Sequence, residues 1–351
     1  MIAEDVATNH EYLPMEGLGA FVESARDLLF GNPSPDLTSR IGSLQTISGT
    51  GAVHLGARFL NDSLQPKRIW VSDPTWGNHH AIFDIAAPDV EQKMYPYYDA
   101  ATCSLNFSGM MSQPGDLILL HACAHNPTGI DPTKDQWKQI ADLCERKHLF
   151  PFFDSAYQGF ASGDVDEDAW AVRHFVSRNT LELVVAQSFS KNFGLYGQRV
   201  GAFHIVTSSE EARDKALSHL IYLQRAEISN PPVYGARIVA FILQNAELRR
   251  EWEQDLLIMS GRIKTMRAAL FGELLKLNTP GNWQHIVNQN GMFSYTGLEE
   301  KQVLALRKEH IYLLTSGRAS ISGLNGENVA LVAKAIDKVV RETGDAPASA
   351  V

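Results

Sequence analysis

The chain has 351 residues, of which 44% are hydrophobic and 20% charged, and its formal net charge is -9. This is typical of a globular protein with one large and one smaller domain. The sequence contains no basic stripe that could follow a phosphate backbone, which argues against a nucleic-acid partner. The three cysteines have no CxxC spacing, so we expect no disulfide framework and a reducing compartment.

Targeting and membrane signals are the next property to consider. No apolar run reaches the ~20 residues that a membrane-spanning helix needs. Residues 1–10 are acidic and polar, unlike a signal peptide or an Arg-rich transit peptide. We therefore expect a cytoplasmic protein without a membrane partner, and a mitochondrial origin stays open because a leader would precede residue 1.

The first part of the chain alternates strands and helices. A helix with apolar residues at helical spacing from Leu18 to Leu29 ends at the Gly-Asn-Pro sequence of 31–33. Apolar and β-branched runs predict strands at residues 44–47, 69–71, 117–123, 150–153, 183–187 and 200–206. Helical spacing predicts helices at residues 52–60, 134–147, 169–178 and 210–223. This alternation indicates parallel βαβ units with helices on both faces of a sheet.

The part after the two prolines at 231–232 is mostly helical. The predicted elements are helices at 236–243 and 248–277, strands at 283–287 and 292–295, and helices at 299–310 and 327–342. We interpret this part as a smaller α+β domain. The predicted division is a partial N-terminal segment (1–11), a large domain (12–255), a small C-terminal domain (256–343) and a disordered tail (344–351).

Several candidate site residues directly follow predicted strands. In open α/β sheets, ligands bind beyond the carboxyl ends of the strands. The segment 48–51 (SGTG) follows one strand and opens a helix, whose free N–H groups could face a phosphate. Alone, this segment more often indicates a glycine-rich turn with Thr50 as a helix cap, and its spacing departs from the dinucleotide-binding fingerprint.

Lys191 follows the apolar strand at 183–187. Partial burial lowers the pKa of a lysine and frees its amine as the nucleophile that Schiff-base chemistry requires. A surface lysine in a loop would give the same local pattern. Ser188 and Arg199 lie on either side of Lys191 in the sequence and could join a phosphate site.

Asp154 ends another apolar run, at 149–153. A carboxylate there needs a cationic or hydrogen-bonding partner, and the protonated ring nitrogen of pyridoxal phosphate would serve. An aspartate that caps the following turn is the alternative. His121 and His125 are four residues apart at a strand end, where we expect that spacing to separate them; no carboxylate completes a ligand set, so no metal is predicted.

Two further strand-end residues are candidates for ring contacts. Asn126 could hydrogen-bond a ring oxygen, in a turn that a proline follows directly. Trp76 follows the strand at 69–71 and could be either a core residue or a stacking platform.

Together these segments closely resemble the aspartate aminotransferase family, class I enzymes of the pyridoxal-phosphate fold type I group. The matching motifs occur in family order from Tyr12 nearly to the C-terminus, at 48–52, 73–79, 121–129, 154–159, 188–200, 229–232 and 291–293. The resemblance implies an α/β fold with a mostly parallel sheet in the large domain. It also implies ping-pong transamination between L-aspartate and 2-oxoglutarate, giving oxaloacetate and L-glutamate, with pyridoxal 5'-phosphate as cofactor.

The resemblance implies roles for individual residues as well. Lys191 carries the cofactor as a Schiff base and moves the substrate proton, while Asp154 pairs with the ring nitrogen and is supported by His121. Asn126 and Tyr157 bond the phenolic oxygen of the ring. The remaining cofactor contacts, to the ring face and the phosphate, are Trp76, Ser48, Gly49, Thr50, Ser188, Arg199 and, from the neighbouring subunit, Tyr12.

Two arginines are implied to bind the substrate, with Trp76 and Asn126 beside them. Arg318 clamps the α-carboxylate, and Arg225 crosses a dimer interface to the side-chain carboxylate. Such a pair selects dicarboxylic acids, because an unpaired guanidinium facing an apolar side chain loses about 2–5 kcal/mol. Shared sites predict a symmetric homodimer. Glu227 is close to Arg225 in the sequence and could compete with a substrate carboxylate.

Two features depart from the family pattern. Family members have a further segment before Tyr12, which embraces the partner subunit and closes over the substrate, and this sequence begins inside that region. The connection at 110–116 is shorter than the usual helical crossover, which predicts local repacking. Two alternatives therefore stay open: an N-terminally shortened isoform with little or no activity, and a transaminase for aromatic or sulfur amino acids.

Overall fold

The structure, a computed structural model, describes residues 9–110 and 116–344. Its strands are β1 (Ile41–Ile47), β2 (Arg68–Asp73), β3 (Glu91–Pro96), β4 (Tyr98–Asp99), β5 (Ser104–Leu105), β6 (Asp116–His121), β7 (Leu149–Ser155), β8 (Leu183–Ser188), β9 (Val200–Val206), β10 (Phe293–Tyr295) and β11 (Arg318–Ser320). Its helices are α1 (Gly19–Phe30), α2 (Pro35–Ser39), α3 (Ser48–Leu64), α4 (Asn78–Ala86), α5 (Phe107–Met110), α6 (Lys134–Lys147), α7 (Val165–Asp168), α8 (Trp170–Val176), α9 (Glu210–Glu227), α10 (Val233–Gln244), α11 (Ala246–Lys276), α12 (His285–Asn288), α13 (Glu300–Lys308) and α14 (Val329–Thr343).

Seven strands form the central sheet, in the order β1-β9-β8-β7-β6-β2-β3. The strands from β3 to β8 in this order are parallel, whereas β9 runs antiparallel to both β8 and β1. The described residues 189–199, which join β8 to β9, contain no helix, so β9 returns beside β8 in the opposite direction. The predicted parallel units are confirmed at the centre of the sheet and are wrong for β9.

Helices cover both faces of the sheet. Phe152 and Phe153 point to opposite faces, because successive side chains of a strand alternate. Phe152 packs with Phe203 in the cluster that contains α3, whereas Phe153 contacts Trp137 of α6 and Phe175 of α8. The predicted α/β fold, with a mostly parallel sheet between helices, is confirmed.

The part after β9 is built from long helices and one small β ribbon. β10 pairs antiparallel with β11, and α14 packs on α11. The strand predicted at 283–287 is wrong, since this segment leads into α12, with Trp283 and Ile286 buried. None of the described helices combines the length and apolarity that a bilayer crossing requires.

The domain division stays a prediction, with its boundary at 255–256 inside α11. The predicted tail begins at residue 344, and residues 345–351 lie outside the described part of the chain. Most of the shortened connection, residues 111–115, lies outside it as well.

Candidate active site

The carboxyl ends of the central strands and the small β ribbon enclose a cavity of about 300 Å³. This is where ligands bind in open α/β sheets. The structure brings most of the predicted site residues to its wall, namely Ser48, Gly49, Thr50, Trp76, Asn126, Asp154, Tyr157, Ser188, Lys191, Arg199 and Arg318. Ser190, Tyr196 and Phe293 line the same cavity and were missed as individual candidates, although all three belong to motifs that the sequence singled out, at 188–200 and 291–293.

The start of α3 forms an anion cradle against the loop after β8. Ser48 Oγ lies 2.8 Å from Ser190 Oγ and 3.4 Å from Ser188 Oγ. The backbones approach so closely that a Cβ on Gly49 would lie 2.9 Å from Ser188 Cβ. The N–H of Ser48 donates to Arg199 O at 3.1 Å, and Arg199 lines the same wall. Hydroxyls, helix N–H groups and a guanidinium are suited to a phosphate.

Lys191 lies in the cavity and is only partly exposed. Its Nζ is 4.7 Å from the ring centroid of Tyr157. Burial lowers the pKa of Lys191; the negative charge of Asp154 opposes this shift, and the positive charge of Arg199 adds to it. A lowered pKa enlarges the fraction of neutral amine, which is the nucleophilic form.

The carboxylate of Asp154 is buried and has a histidine partner. Its Oδ2 lies 3.1 Å from Nε2 of His79, a fully buried residue. Burial alone would raise the pKa of Asp154, but the hydrogen bond and charge of His79, together with the charges of His121 and Lys191, lower it below its ordinary value, so the group stays ionised. Thr75 Oγ1 lies 2.8 Å from His79 Nδ1 and 3.2 Å from His121 Nε2.

The predicted support of Asp154 by His121 is indirect: His79 contacts the carboxylate, whereas His121 is linked to it through Thr75 and helps to lower its pKa through charge. The reason is that His79 lies in the first turn of α4, which aims its ring back at the end of β7. His79 belongs to the motif at 73–79, and its place at the start of a helix after a strand end was the available signal.

The expected separation of His121 and His125 is wrong, since their ring centroids lie 4.1 Å apart. The chain turns back after β6, with Ala124 at a φ of 49°. Burial lowers the pKa of both histidines, to about 3 for His121. His125 bonds Ser72 and Thr128. Within residues 9–110 and 116–344, no group of three or more histidine, cysteine, aspartate or glutamate residues is arranged to hold a metal ion.

Asn126 joins the two ends of the cavity. Its Nδ2 lies 3.4 Å from Tyr157 Oη, and Arg318 Nη1 donates to its Oδ1 at 2.8 Å. The guanidinium carbon of Arg318 lies 4.2 Å from the ring centroid of Phe293, a cation–π contact. Burial raises the pKa of Tyr157, so its hydroxyl stays protonated at neutral pH. Arg318 thus offers a positioned guanidinium to a carboxylate in the cavity.

Three other residues named in the sequence analysis, Tyr12, Arg225 and Glu227, do not line the cavity. Tyr12 is 83% exposed, and Arg225 lies at the exposed end of α9, where it donates to Ser229 Oγ at 2.5 Å. Neither residue lines the cavity of its own chain, so their predicted contribution to a neighbouring subunit stays a prediction. The carboxylate of Glu227 lies 3.3 Å from His54 Nδ1.

The fold and the cavity define an α/β enzyme with an amine nucleophile, a buried carboxylate and an anion cradle. A sequence profile of the family "Aminotransferase class I and II" matches residues 3–336. The chain is 52% identical to the L-tyrosine:2-oxoglutarate aminotransferase ucdG of Aspergillus ustus, over 96% of this chain and 67% of that protein. It is 47% identical to the cytoplasmic aspartate aminotransferase of Saccharomyces cerevisiae, over 97% of this chain and 84% of that protein.

Solved structures agree with this relationship. The aspartate aminotransferase from Saccharomyces cerevisiae cytoplasm superposes with a TM-score of 0.93 at 46% identity, over 97% of this chain and 85% of that one. The broad specificity aminotransferase from Leishmania mexicana gives 0.92 at 44% identity, over 95% and 83%. The chain therefore belongs to the class I and II aminotransferases.

Proposed function

We propose that this chain catalyses transamination between L-aspartate and 2-oxoglutarate, giving oxaloacetate and L-glutamate, with pyridoxal 5'-phosphate as cofactor. The observation that carries the proposal is that Lys191, Asp154 and Arg318 line one cavity with an anion cradle. Cytoplasmic aspartate aminotransferases of Saccharomyces cerevisiae, Gallus gallus and Schizosaccharomyces pombe, each 47% identical, support the substrate and a cytoplasmic residence.

The residues of the cavity fit the cofactor group by group. The cradle at the start of α3, where a Cβ on Gly49 would collide with Ser188, suits a phosphate. Asp154, held ionised by its histidine partner, suits a protonated ring nitrogen. Asn126 and Tyr157 suit the phenolic oxygen. Trp76, on the same wall, suits the ring face.

When bound, the cofactor supplies an aldehyde that condenses with amines and an electron-poor ring that favours loss of the substrate Cα proton. Arg318 binds the α-carboxylate and so orients the Cα–H bond. Lys191 Nζ, with its lowered pKa, accepts the proton from Cα. Asp154 keeps the proton on the ring nitrogen. The first 2-oxo acid leaves before the second binds, as a ping-pong cycle requires.

Selection of a second carboxylate rests on Arg225 in this proposal. Arg225 and Tyr12 are exposed and do not line their own cavity, and a symmetric homodimer would bring them to the cavity of the neighbouring subunit. The division into a large domain (12–255) and a small one (256–343) would then place the cofactor on the first and the α-carboxylate clamp on the second.

Tyrosine as amino donor is the second candidate. The relative from Aspergillus ustus, at 52% identity, is named a tyrosine aminotransferase. Of the aromatic residues that line the cavity, Phe293 and Tyr196 could pack against an aromatic side chain of the substrate.

The deciding experiment compares kcat/KM for aspartate and for tyrosine, with 2-oxoglutarate as acceptor, in the protein loaded with pyridoxal phosphate. We expect aspartate to be preferred and Arg225→Ala to lower its kcat/KM by about 30-fold or more, the equivalent of about 2 kcal/mol, while tyrosine is little affected. Arg249→Ala, which removes a surface arginine paired with Glu253, is the matched control.

A wild-type preference for tyrosine that Arg225→Ala leaves unchanged would favour the second candidate. The visible spectrum before and after aspartate is added serves as an independent check. A protein that gains no cofactor absorbance at all would support the inactive isoform.

A further inference from the structure

We propose that Arg267, a buried arginine outside the cavity, is the positioning residue for the α-carboxylate clamp. Resting on the function proposed above, this inference assigns to Arg267 the placement of Phe293 and, through it, of Arg318. Arg267 lies on α11, is 2% exposed and does not line the cavity.

The guanidinium of Arg267 is bound by main-chain carbonyls. Nη1 donates to Ile286 O at 2.9 Å, and Nη2 donates to Asn290 O at 3.1 Å, to Gly291 O at 2.9 Å and to Phe293 O. Within the described residues its hydrogen-bond partners are these carbonyls and no carboxylate. Burial lowers the pKa of Arg267 to about 10, which still leaves it charged at neutral pH.

Burying an unpaired cation is costly, so simple space filling does not explain this arrangement. An apolar side chain could fill the same volume without desolvating a charge. A guanidinium, however, presents several donors in one plane and can hold a whole turn of backbone in a fixed geometry. It substitutes here for a sheet partner, because β10 pairs only with β11 among the described strands.

The segment that Arg267 holds is packed against the turn that carries Asn126. The N–H of Asn290 donates to Gly129 O at 2.7 Å. A Cβ on Gly291 would lie 2.6 Å from Ala124 Cβ, so the two backbones are in close contact. A shift of residues 289–293 would therefore displace the turn at 124–129, which carries the Asn126 side chain.

The same segment determines where Arg318 lies. In the β10-β11 register, Tyr295 is opposite Arg318 and Phe293 is opposite Ser320. Arg318 touches Phe293 on one side and donates to Asn126 Oδ1 on the other. The two contacts of the Arg318 guanidinium, with Phe293 and with Asn126, both depend on the position of residues 289–293. The hydrogen bonds from Arg267 to this segment therefore fix the position of Arg318 from the side opposite the cavity.

The test compares Arg267→Lys and Arg267→Met with a matched control, Arg262→Lys. Arg262 lies on the same helix and also donates to main-chain carbonyls, at 3.4 Å to Ser322 O and 2.6 Å to Leu324 O, but it is exposed. The measurements on the cofactor-loaded protein are kcat and KM for the preferred amino donor, the Kd of succinate by calorimetry, and the visible absorbance of the bound cofactor.

We expect both Arg267 variants to raise KM and the succinate Kd by about tenfold, the factor that loss of a hydrogen bond to a charged group produces. We expect kcat and cofactor absorbance to stay within about threefold of the wild type, because the cradle and Lys191 lie at the start of α3 and in the loop after β8, outside the segment that Arg267 holds. If Arg267→Met does not fold, the lysine variant alone carries the test, since it keeps the charge but cannot bridge four carbonyls.

Unchanged KM and Kd in a folded Arg267→Lys protein would overturn the inference. So would a loss of cofactor absorbance in step with the loss of succinate binding, which would indicate a general structural role. The proposed function fails separately, if the wild-type protein transaminates neither donor.

Discussion

The two ends of the cavity are built in different ways. At the cofactor end, the start of α3 packs closely on two strands of the central sheet: Gly49 lies against Ser188 of β8, and Gly201 of β9 lies against the main chain of Ser48. At the substrate end, a two-stranded ribbon carries Arg318 and is held by polar side chains. We infer that the cofactor end is sensitive to added volume, and the substrate end to the loss of hydrogen bonds.

The largest effect is expected at the cofactor end, from Lys191→Ala. Removing the amine should lower kcat by at least about 10³-fold, since both the nucleophile and the proton acceptor are lost. The cradle is unchanged, so the cofactor should still bind without a covalent bond. Turnover and the visible spectrum measure both properties, and Lys264→Ala, which removes an exposed lysine that donates to Ser162 O, is the control.

Gly49→Ala directly tests the sensitivity to volume. Its Cβ would lie 2.9 Å from Ser188 Cβ, so the cradle must widen. We expect the Kd for pyridoxal phosphate to rise by about 10- to 100-fold, while KM for the amino donor changes less. The comparison variant is Gly272→Ala on α11, where a Cβ meets nothing within 4 Å. It should bind the cofactor normally and be stabilised by about 0.5–1 kcal/mol.

Equal cofactor affinity in the two glycine variants would show that the close approach at α3 is not what shapes the cradle. The difference between the cofactor end and the substrate end of the cavity would then depend on charge and not on the volume available to side chains.

A smaller effect is expected from the partner of Asp154. His79 lowers the pKa of that carboxylate, so His79→Ala should raise it, and protonation of Asp154 should then occur at higher pH. The acid-side loss of kcat/KM should therefore move to higher pH in the variant. Its neighbour His80, which bonds Gln92 instead, provides the control variant His80→Ala. An acid limb that stays in place would refute the assigned role of His79.

The same contrast explains which site residues the sequence could predict. Lys191 and Asp154 follow apolar runs, and parallel strands bring such positions to one edge, so a linear pattern indicated their proximity. Ser48 and Arg199 likewise sit at strand boundaries. The large domain was predictable for the same reason, and residues 134–147 and 200–206 were predicted with the observed bounds of α6 and β9.

What the sequence could not show depends on packing between distant segments. β3 was not predicted because Glu91–Pro96 is a mostly polar edge strand without an apolar run. Arg267 sits in a helical pattern where a snorkelling surface arginine is the usual expectation. Phe293 gains its contact with Arg318 only from the register of β10 with β11. The pairing of β3 and the contacts of Arg267 and Phe293 depend on tertiary geometry, which the local sequence pattern alone does not give.

The smallest predicted effect concerns Asp168, a buried carboxylate that holds a backbone loop near the cofactor end of the cavity. Its carboxylate accepts the N–H groups of Gly159, Ala161 and Ser162 at 2.8–3.0 Å, just after the turn that carries Tyr157. Burial, the largest influence, raises the pKa of Asp168 to about 6 from 3.8, although these hydrogen bonds oppose it.

Between about pH 4 and pH 6 the unfolded chain therefore releases this proton before the folded one does, and the free energy of unfolding falls as pH rises. Asp168→Asn cannot titrate, so its Tm should fall less steeply across this window than that of the wild type, by a few degrees at most. Glu167→Gln, at an exposed residue of the same segment that pairs with Lys134, should keep the wild-type slope. Parallel Tm curves for wild type and Asp168→Asn would mean that Asp168 is ionised throughout this pH range. The loop at 159–162 would then be held by a charged side chain, as the ribbon that carries Arg318 is.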